Sequence, residues 1–421
     1  MPKHDSTPAI TYVVSQYPAI SHTFILGEVN GIKAQGINVS VASINTPDRP
    51  FEQLTDSEKV AYNSTLFVKQ SLVKKLPYYF FLTLLTYPKG FFSSLWDTFT
   101  ASLHQPTTVL QRIAYWLEAM VVVDLAKKQG SQQLHAHFST QGCTVAMLAA
   151  KIMDINFSFT VHGPDEFYHV GEQQLEKKFS AANFIICISD FAKSQVMKYT
   201  AFSEWDKLHI NYLGVDTALF SPAPGTTYND TPVLLCVGRL VNAKGQGVLI
   251  QAAKILKDRG IDFTLQLVGD GPDKVSLEQF SATHQLSTHV NFLGKVNHDQ
   301  IQTLQQKADI FVLPSFAEGI PIVLMEAMAC GTPCVTTHIT GIPELFTHNH
   351  DGLLVRPGSA LMLADALELL ITQPETRERL KTAALSTVKE KWCIHQSNQR
   401  LAQLFTQKLF TQQLSPQKSP Q

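Results

Sequence analysis

The sequence predicts an α/β protein made of two doubly wound, parallel-sheet domains. Three observations carry that prediction. Short apolar runs alternate with longer helical patterns along most of the chain, the rhythm of βαβ units. The chain is 421 residues long, too long for one ordinary hydrophobic core. A single segment rich in Pro, Gly, Asn and Asp, "SPAPGTTYNDTP", interrupts the rhythm near the middle and reads as a linker.

Taken in order, the strand candidates of the first half are "AITYVVSQ", "INVSVASI", "QLHAHFS", "FSFTVHG", "NFIICIS" and "LHINYLG". Those of the second half are "PVLLCVGRL", "FTLQLVGDG", "VNFLGKV", "DIFVLPSF", "CVTT" and "GLLV". The expected division is a first domain over 1–221, a linker over 222–231 and a second domain over 232–390. A C-terminal helix over 391–410 is expected to pack back on the first domain, followed by a disordered tail over 411–421. Doubly wound sheets gather their ligand loops at the carboxyl ends of the strands, and a cleft between two such domains is the default site.

Residues 66–104 break the rhythm. "LVKKLPYYFFLTLLTYPKGFFSSLW" is aromatic-rich and carries Lys74, Lys75 and Lys89. It reads as a pair of helices packed on the first sheet, or as a basic-aromatic face for anionic lipid, and the two readings are compatible.

Composition narrows the function classes. The formal net charge of −1 argues against a nucleic-acid binder held by bulk electrostatics. The opening "MPKHDSTPAITYVVSQ" shows no signal-peptide hydrophobic region, and no stretch reaches the roughly 18 apolar residues of a membrane span. A cytoplasmic chain is expected. Cys143, Cys187, Cys236, Cys330, Cys334 and Cys393 form no zinc-type pair and read as free thiols in a reducing compartment.

The chemistry concentrates in "LPSFAEGIPIVLMEAMACGTPCV". "DIFVLPSF" is a buried strand. Pro321 suits the first turn of a helix, Gly331 the position past its end and Pro333 a stop, which predicts a helix over 321–329. Glu318 then lies in the preceding loop and Glu326 about 7–8 Å along the helix axis. Between them are the free N–H groups of the helix start, which attract phosphate. The layout fits a diphosphate with a hydroxyl-bearing sugar at each end, since carboxylates accept from hydroxyls. A capped surface helix would also carry acids near its positive end. Arg239 and Lys244 in "VGRLVNAKG" follow a strand directly, where cations can meet a pyrophosphate, and "LVGDGP" ends another strand with glycines that admit a ligand to the backbone.

At these motifs the second half resembles the retaining glycosyltransferases of family 4, with the GT-B fold of two Rossmann-like domains facing across a cleft. "GRLVNAKG", "LVGDGP", "FLGKV", the Glu318/Glu326 element and "GIPEL…DGLLV" occur in the family's order over roughly 232–355. The resemblance implies that Arg239 and Lys244 bind the donor diphosphate and stabilise the leaving group. It implies that Glu326 holds the ribose and that Glu318 faces the transferred sugar. The backbone of Gly319, Ile320, Pro321, Ile322, Val323 and Leu324 would cradle sugar and phosphate, with Gly238, Gly269 and Val296 near the diphosphate and the base.

In the first half, His162 ends the strand "FTVHG". It reads either as a strand-edge residue or, by the resemblance, as a contact to the donor sugar. Asp165 is a candidate for orienting the acceptor. His135 and His137 share a strand face, but no carboxylate or Cys at ligand spacing supports a metal. The loop after the first strand, "SQYPAISHTF", lacks the Gly-Gly pair common in the family and resembles the exopolysaccharide and colanic-acid subgroup. Ser21 and His22 are loop candidates for donor or acceptor contact, or alternatively for an N-cap of the next helix. A second departure places Thr340 where the family often has glycine.

The resemblance implies a metal-independent enzyme that transfers a hexose from a UDP- or GDP-sugar to a glycan or lipid-linked acceptor in bacterial surface-polysaccharide synthesis. No cofactor is expected. The expected partners are the nucleotide sugar, that acceptor and an anionic membrane surface at the inner face of the cytoplasmic membrane, with no nucleic acid. The competing readings are a GT-B-type nucleotide-sugar epimerase and a non-catalytic sugar-nucleotide-binding scaffold.

Overall fold

The computed structural model describes residues 8–103, 109–225 and 228–413, apart from the side chains of Ser21, 101–103, 298–299 and 410–413. The chain divides into two compact units, Met1–Asn211 with Ser397–Gln421, and Tyr212–Gln396.

The first unit is built on seven strands: β1 (Ala9–Gln16), β2 (Asn38–Asn45), β3 (Thr65–Phe67), β4 (Gln133–His137), β5 (Asn156–Val161), β6 (Phe184–Cys187) and β7 (Leu208–Ile210). They pair in parallel in the order β3-β2-β1-β4-β5-β6-β7. Strand order reverses between β1 and β4, and a doubly wound sheet opens its ligand crevice at such a point. β4 and β6 are buried throughout, so they read as continuous apolar runs without alternation. β3 is missing from the expected strands: three residues between two helices are too short to show a period.

Helices cover both faces. On one, Val68, Tyr79, Phe91 and Trp116 pack with the helix Gln141–Met153. On the other, Ile25, Val29 and Ile32 of the helix Thr23–Ala34 meet Leu401, Ala402, Phe405 and Leu409 of the last helix, Ile394–Gln413. That helix passes the expected end at 410, and residues 414–421, expected as a disordered tail, lie outside the described residues. Residues 66–104 form the helices Val68–Thr86 and Pro88–Leu103 up to the last described residue. The first is kinked at Lys75 beside Pro77, which has no N–H for the carbonyl four residues back. Among the described residues no helix is long and apolar enough to cross a membrane.

The second unit holds β8 (Val233–Val237), β9 (Thr264–Val268), β10 (Val290–Gly294), β11 (Ile310–Leu313), β12 (Cys334–Thr337) and β13 (Leu353–Val355). They run parallel in the order β10-β9-β8-β11-β12-β13, so the order reverses between β8 and β11. Leu249, Ala253 and Leu256 of the helix Gln246–Asp258 and Leu363 and Leu367 of the helix Ala360–Thr372 close its core.

The units divide at Asn211 and Tyr212, ahead of the segment expected as linker. Val215 bridges to Cys393, its N–H donating to Trp392 O at 2.8 Å, and Phe220 is buried. Asn229 is tied to Asp309, Nδ2 to Oδ2 at 2.7 Å. Pro, Gly and Asn mark irregular backbone; here hydrogen bonds fasten that backbone to the second unit. All six cysteines are free and all but Cys393 are buried.

Candidate active site

In the second unit the loops after β8 and β11 leave the sheet on either side of the reversal point. The β8 loop passes Gly238 and Arg239, makes a 3-10 turn at Asn242–Lys244 and enters the next helix at Gly245. Gly245 has φ +67°, and a Cβ there would lie 2.1 Å from Pro314 O, so only glycine lets this helix start approach the end of β11. Phe316 N–H donates to Ala243 O at 2.8 Å and ties the two loops together. The consequence is an ion pair: Lys244 Nζ stands 2.6 Å from Glu318 Oε1, and Ser315 Oγ donates to the same oxygen at 2.6 Å. Glu318 is buried.

The Glu318 loop is held from behind. Thr337 Oγ1 donates to Ser315 O at 2.6 Å, and Thr340 Oγ1 donates to Glu318 O. Thr340 adopts φ +44°, a left-handed conformation that explains why glycine is common there and that costs a β-branched residue about 1–3 kcal/mol. Ser315 and Thr337 are not singled out by the sequence, where a hydroxyl residue carries no signal of such tertiary contacts.

Arg239 is exposed, and its guanidinium has no hydrogen-bond or ion-pair partner among the described residues. The helix expected over 321–329 runs Ile322–Cys330, with Pro321 as an N-cap that offers no side-chain bond and Gly331 left-handed at its end. The first-turn N–H groups of Ile322 and Val323 have no place in the helical ladder. Leu324 departs from expectation: its N–H bonds Pro321 O at 3.2 Å and its side chain is buried in the core. Ile320 is buried too, so Gly319 and Ile320 offer backbone only. Glu326 is buried on the helix.

Gly269 has φ +135°, and a Cβ on it would meet Gly238 O at 2.0 Å. Its N–H donates to Gly294 O at 2.8 Å. The carboxyl ends of β8, β9 and β10 therefore share one edge, with half-buried Val296 in the loop beyond.

In the first unit four histidines gather near the carboxyl ends of β1, β4 and β5. His162 follows β5 and is buried, its ring centroid 4.3 Å from Phe138 and 4.9 Å from Phe24. Burial holds its pKa well below the usual imidazole value, and His137, His22 and His135 add to the shift. Phe138 stands at φ +63°, a strained position directly after β4. His22 ends the 3-10 turn Ile20–His22, 5.0 Å from the Phe138 ring, and burial lowers its pKa. Ser21 lies in the same turn; its side chain is outside the described residues, and the N-cap of the next helix is His22.

Asp165 is exposed, and the organising acid is its neighbour. Glu166 is buried and accepts the N–H groups of His162 at 2.6 Å, Gly163 at 3.1 Å and Ser139. Burial pushes its carboxyl up in pKa against those bonds. Adjacent carboxylates look alike in sequence, and only the turn Pro164–Phe167 decides which one points inward.

His135 and His137 are not the whole cluster. Glu28, 109 positions from His137, supplies a carboxylate, and the three place one ligand atom each within 4.8 Å of one another. Their nitrogens are already engaged: His135 with Ser158 and Thr160, His137 with His162 and Glu28. A metal here would have to displace those bonds.

Residues 220–387 match the model of the glycosyl transferases group 1 family, and residues 22–219 match that of glycosyltransferase family 4. The chain belongs to glycosyltransferase family 4. Among its relatives is a putative colanic acid biosynthesis glycosyltransferase of Escherichia coli K12, 32% identical over 55% of this chain and 59% of that protein. Its Salmonella typhimurium counterpart is 25% identical over 94% of this chain and 98% of that protein. The amylovoran biosynthesis glycosyltransferase of Erwinia amylovora is 27% identical over 87% and 91%. The matched stretch spans less than two thirds of the Escherichia coli protein, and likewise 64% of a D-inositol 3-phosphate glycosyltransferase of Pseudarthrobacter chlorophenolicus. Anabaena HepE, solved in complex with UDP and glucose, superposes with a TM-score of 0.73 at 18% identity over 95% of this chain and all of that one. That likeness is one of fold, GT-B.

Proposed function

We propose that this family 4 member transfers a hexose from a UDP- or GDP-sugar to a glycan or lipid-linked acceptor in bacterial surface-polysaccharide synthesis, with retention and without a metal ion. The observation that carries the reading is the Lys244–Glu318 pair at the reversal point of the second sheet, beside the unpaired Arg239 and the helix start at Pro321. Names of the relatives from colanic acid and amylovoran synthesis support the setting. A protein of the same fold that holds UDP and glucose supports the donor class.

Arg239 and the helix-start N–H groups offer charge and donors to a diphosphate, and Lys244 exchanges Glu318 for a phosphate oxygen. Glu318, released, accepts from a hydroxyl of the transferred sugar, and Glu326 accepts from the ribose. The bond from the anomeric carbon to the phosphate oxygen breaks and its electron pair leaves with the diphosphate, whose charge Arg239 and Lys244 stabilise. The acceptor oxygen bonds the same face of that carbon, and its proton passes to the departing phosphate oxygen. Asp165, Ser21 and His22 remain candidates on the acceptor side, and His162 is the first unit's candidate for a sugar hydroxyl.

A thermal-shift screen against UDP- and GDP-sugars tests the donor. Binding at 100 times Kd stabilises the chain by about 2.7 kcal/mol. Transfer assays with the responding donor are then run with and without chelator, and the donor alone is checked for epimerisation. A chain that responds to no nucleotide sugar, or that loses transfer with chelator, contradicts the proposal.

A further inference from the structure

Behind His162 runs a single-file hydrogen-bond chain that the proposed chemistry leaves unused. Tyr12 O–H donates to Glu28 Oε1 at 2.8 Å. His137 Nε2 lies 3.1 Å from the same oxygen, and His137 Nδ1 lies 3.0 Å from His162 Nε2. The four residues come from β1, the helix Thr23–Ala34, β4 and the end of β5, and all are buried. A carboxylate only accepts, so His137 donates through Nε2. A neutral imidazole has one N–H, so His137 Nδ1 accepts and His162 donates through Nε2. One proton on each ring leaves His162 Nδ1 with a lone pair and, among the described residues, with no partner. That ring packs against Phe24 and Phe138, an aromatic wall suited to the apolar face of a sugar.

We propose that Glu28 and His137 are positioning residues that lock His162 as its Nε2–H tautomer. His162 then enters the site as a hydrogen-bond acceptor for a sugar hydroxyl rather than as a proton donor. This deepens the proposed function and rests on His162 belonging to that site. The titratable groups facing the chain are His135 from β4, His22 from the turn after β1, Tyr12 and Glu28 at its far end, and Glu166 on the His162 N–H. A second proton on His137 would reverse the chain and make His162 present an N–H.

The test reads the tautomer directly. The full chain is labelled with 15N-histidine, and long-range 1H–15N correlations are recorded, with the His162 signals identified by their loss in His162→Gln. The expected result is a proton on Nε2 and a bare Nδ1. A proton on Nδ1 in the unaltered chain overturns the proposal, and this reading needs no variant of Glu28 or His137 to fold. Glu28→Gln replaces the acceptor-only group by one that can also donate. It is expected to depopulate the Nε2–H form and to lower kcat about 10–100-fold, the scale seen when a partner that orients a histidine is lost. An unchanged tautomer and rate in folded Glu28→Gln also overturns it. A chain with the expected tautomer that transfers no sugar contradicts the proposed function and leaves the lock standing.

Discussion

Lys244 and Glu318, 74 positions apart, meet at 2.6 Å where the second sheet reverses its strand order. The pair is half screened, with Lys244 partly exposed and Glu318 buried, so its worth to stability is small against its worth in placing two groups at one spot. Lys244→Ala is expected to lower turnover by about 100-fold, the scale of losing one preorganised donor to developing charge. Because the two residues share one interaction, Lys244→Ala/Glu318→Ala should fall well short of the sum of the singles. Transfer rates of the four proteins decide it; additive effects would mean that the pair does not act as a unit.

Arg239 and Glu326 separate chemistry from binding. Arg239→Ala removes an unpaired cation and is expected to cost about 100-fold in kcat. Glu326→Ala removes the proposed acceptor for the ribose and is expected to weaken donor affinity about 10-fold, roughly 1.4 kcal/mol, with a smaller change in kcat. Titration of donor binding beside steady-state rates distinguishes them. Wild-type behaviour of both variants would remove the diphosphate assignment.

Thr340 holds a left-handed backbone and the carbonyl of Glu318 at once. Thr340→Val keeps the strain and loses the bond, and is expected to destabilise the chain by about 1 kcal/mol. Thr340→Gly loses the bond but relieves strain of similar size, so its denaturation midpoint should stay near that of the parent while turnover falls. If Thr340→Gly were fully active, the hydroxyl would have no part in holding Glu318.

Acid should loosen the first unit. His135 and His162 titrate well below the usual value of 6.5 through burial, and burial first, then Lys408 and Lys193, bring His209 down to about 4. The unfolded chain binds protons at these rings near pH 6.5 while the folded chain resists them. Their contribution to stability is therefore present above pH 6.5 and is lost as pH falls below it, toward about 4 for His209. Urea midpoints measured across that window should fall with pH, and His209→Gln should flatten the slope. A midpoint independent of pH there would contradict the sign.

What the sequence revealed follows the range of its signals. β1, β5 and β8 announce themselves by apolar runs between turn residues, and the Glu318/Glu326 spacing around Pro321 marks a strand–loop–helix junction before any coordinates. Contacts across the sheet left no such trace. Glu28 reaches His137 over 109 positions, Thr340 reaches Glu318 over 22, and Glu166 differs from Asp165 only by the sense of one short turn. β3 was too short to show alternation, and the anchoring of 222–231 rests on Asp309, far outside the segment. Local pattern reports local structure; partners brought together by topology become visible only once the strand order is known.

The first unit's outer helices make the last prediction. Tyr78, Phe81 and Leu85 lie at i, i+3 and i+7 on the helix Val68–Thr86, and Phe92, Leu95, Trp96 and Phe99 follow the same helical spacing on Pro88–Leu103. All are exposed, Leu85 at 78% and Trp96 at 66%, while the opposite faces bury Tyr79 and Phe91. Both faces of each helix are therefore apolar, and the outer one is flanked by exposed Lys74, Lys75 and Lys89. Aromatic side chains beside lysines suit the headgroup boundary of an anionic bilayer, where each lysine adds about 1 kcal/mol, an attraction that salt screens. The full chain should float with liposomes containing anionic lipid at low salt and sediment from them at high salt. Phe81→Ser/Trp96→Ser should reduce flotation without altering donor binding, since neither ring belongs to the proposed site. A chain that fails to float with anionic liposomes at low salt would exclude the membrane-facing role and leave these aromatic rings without a lipid partner.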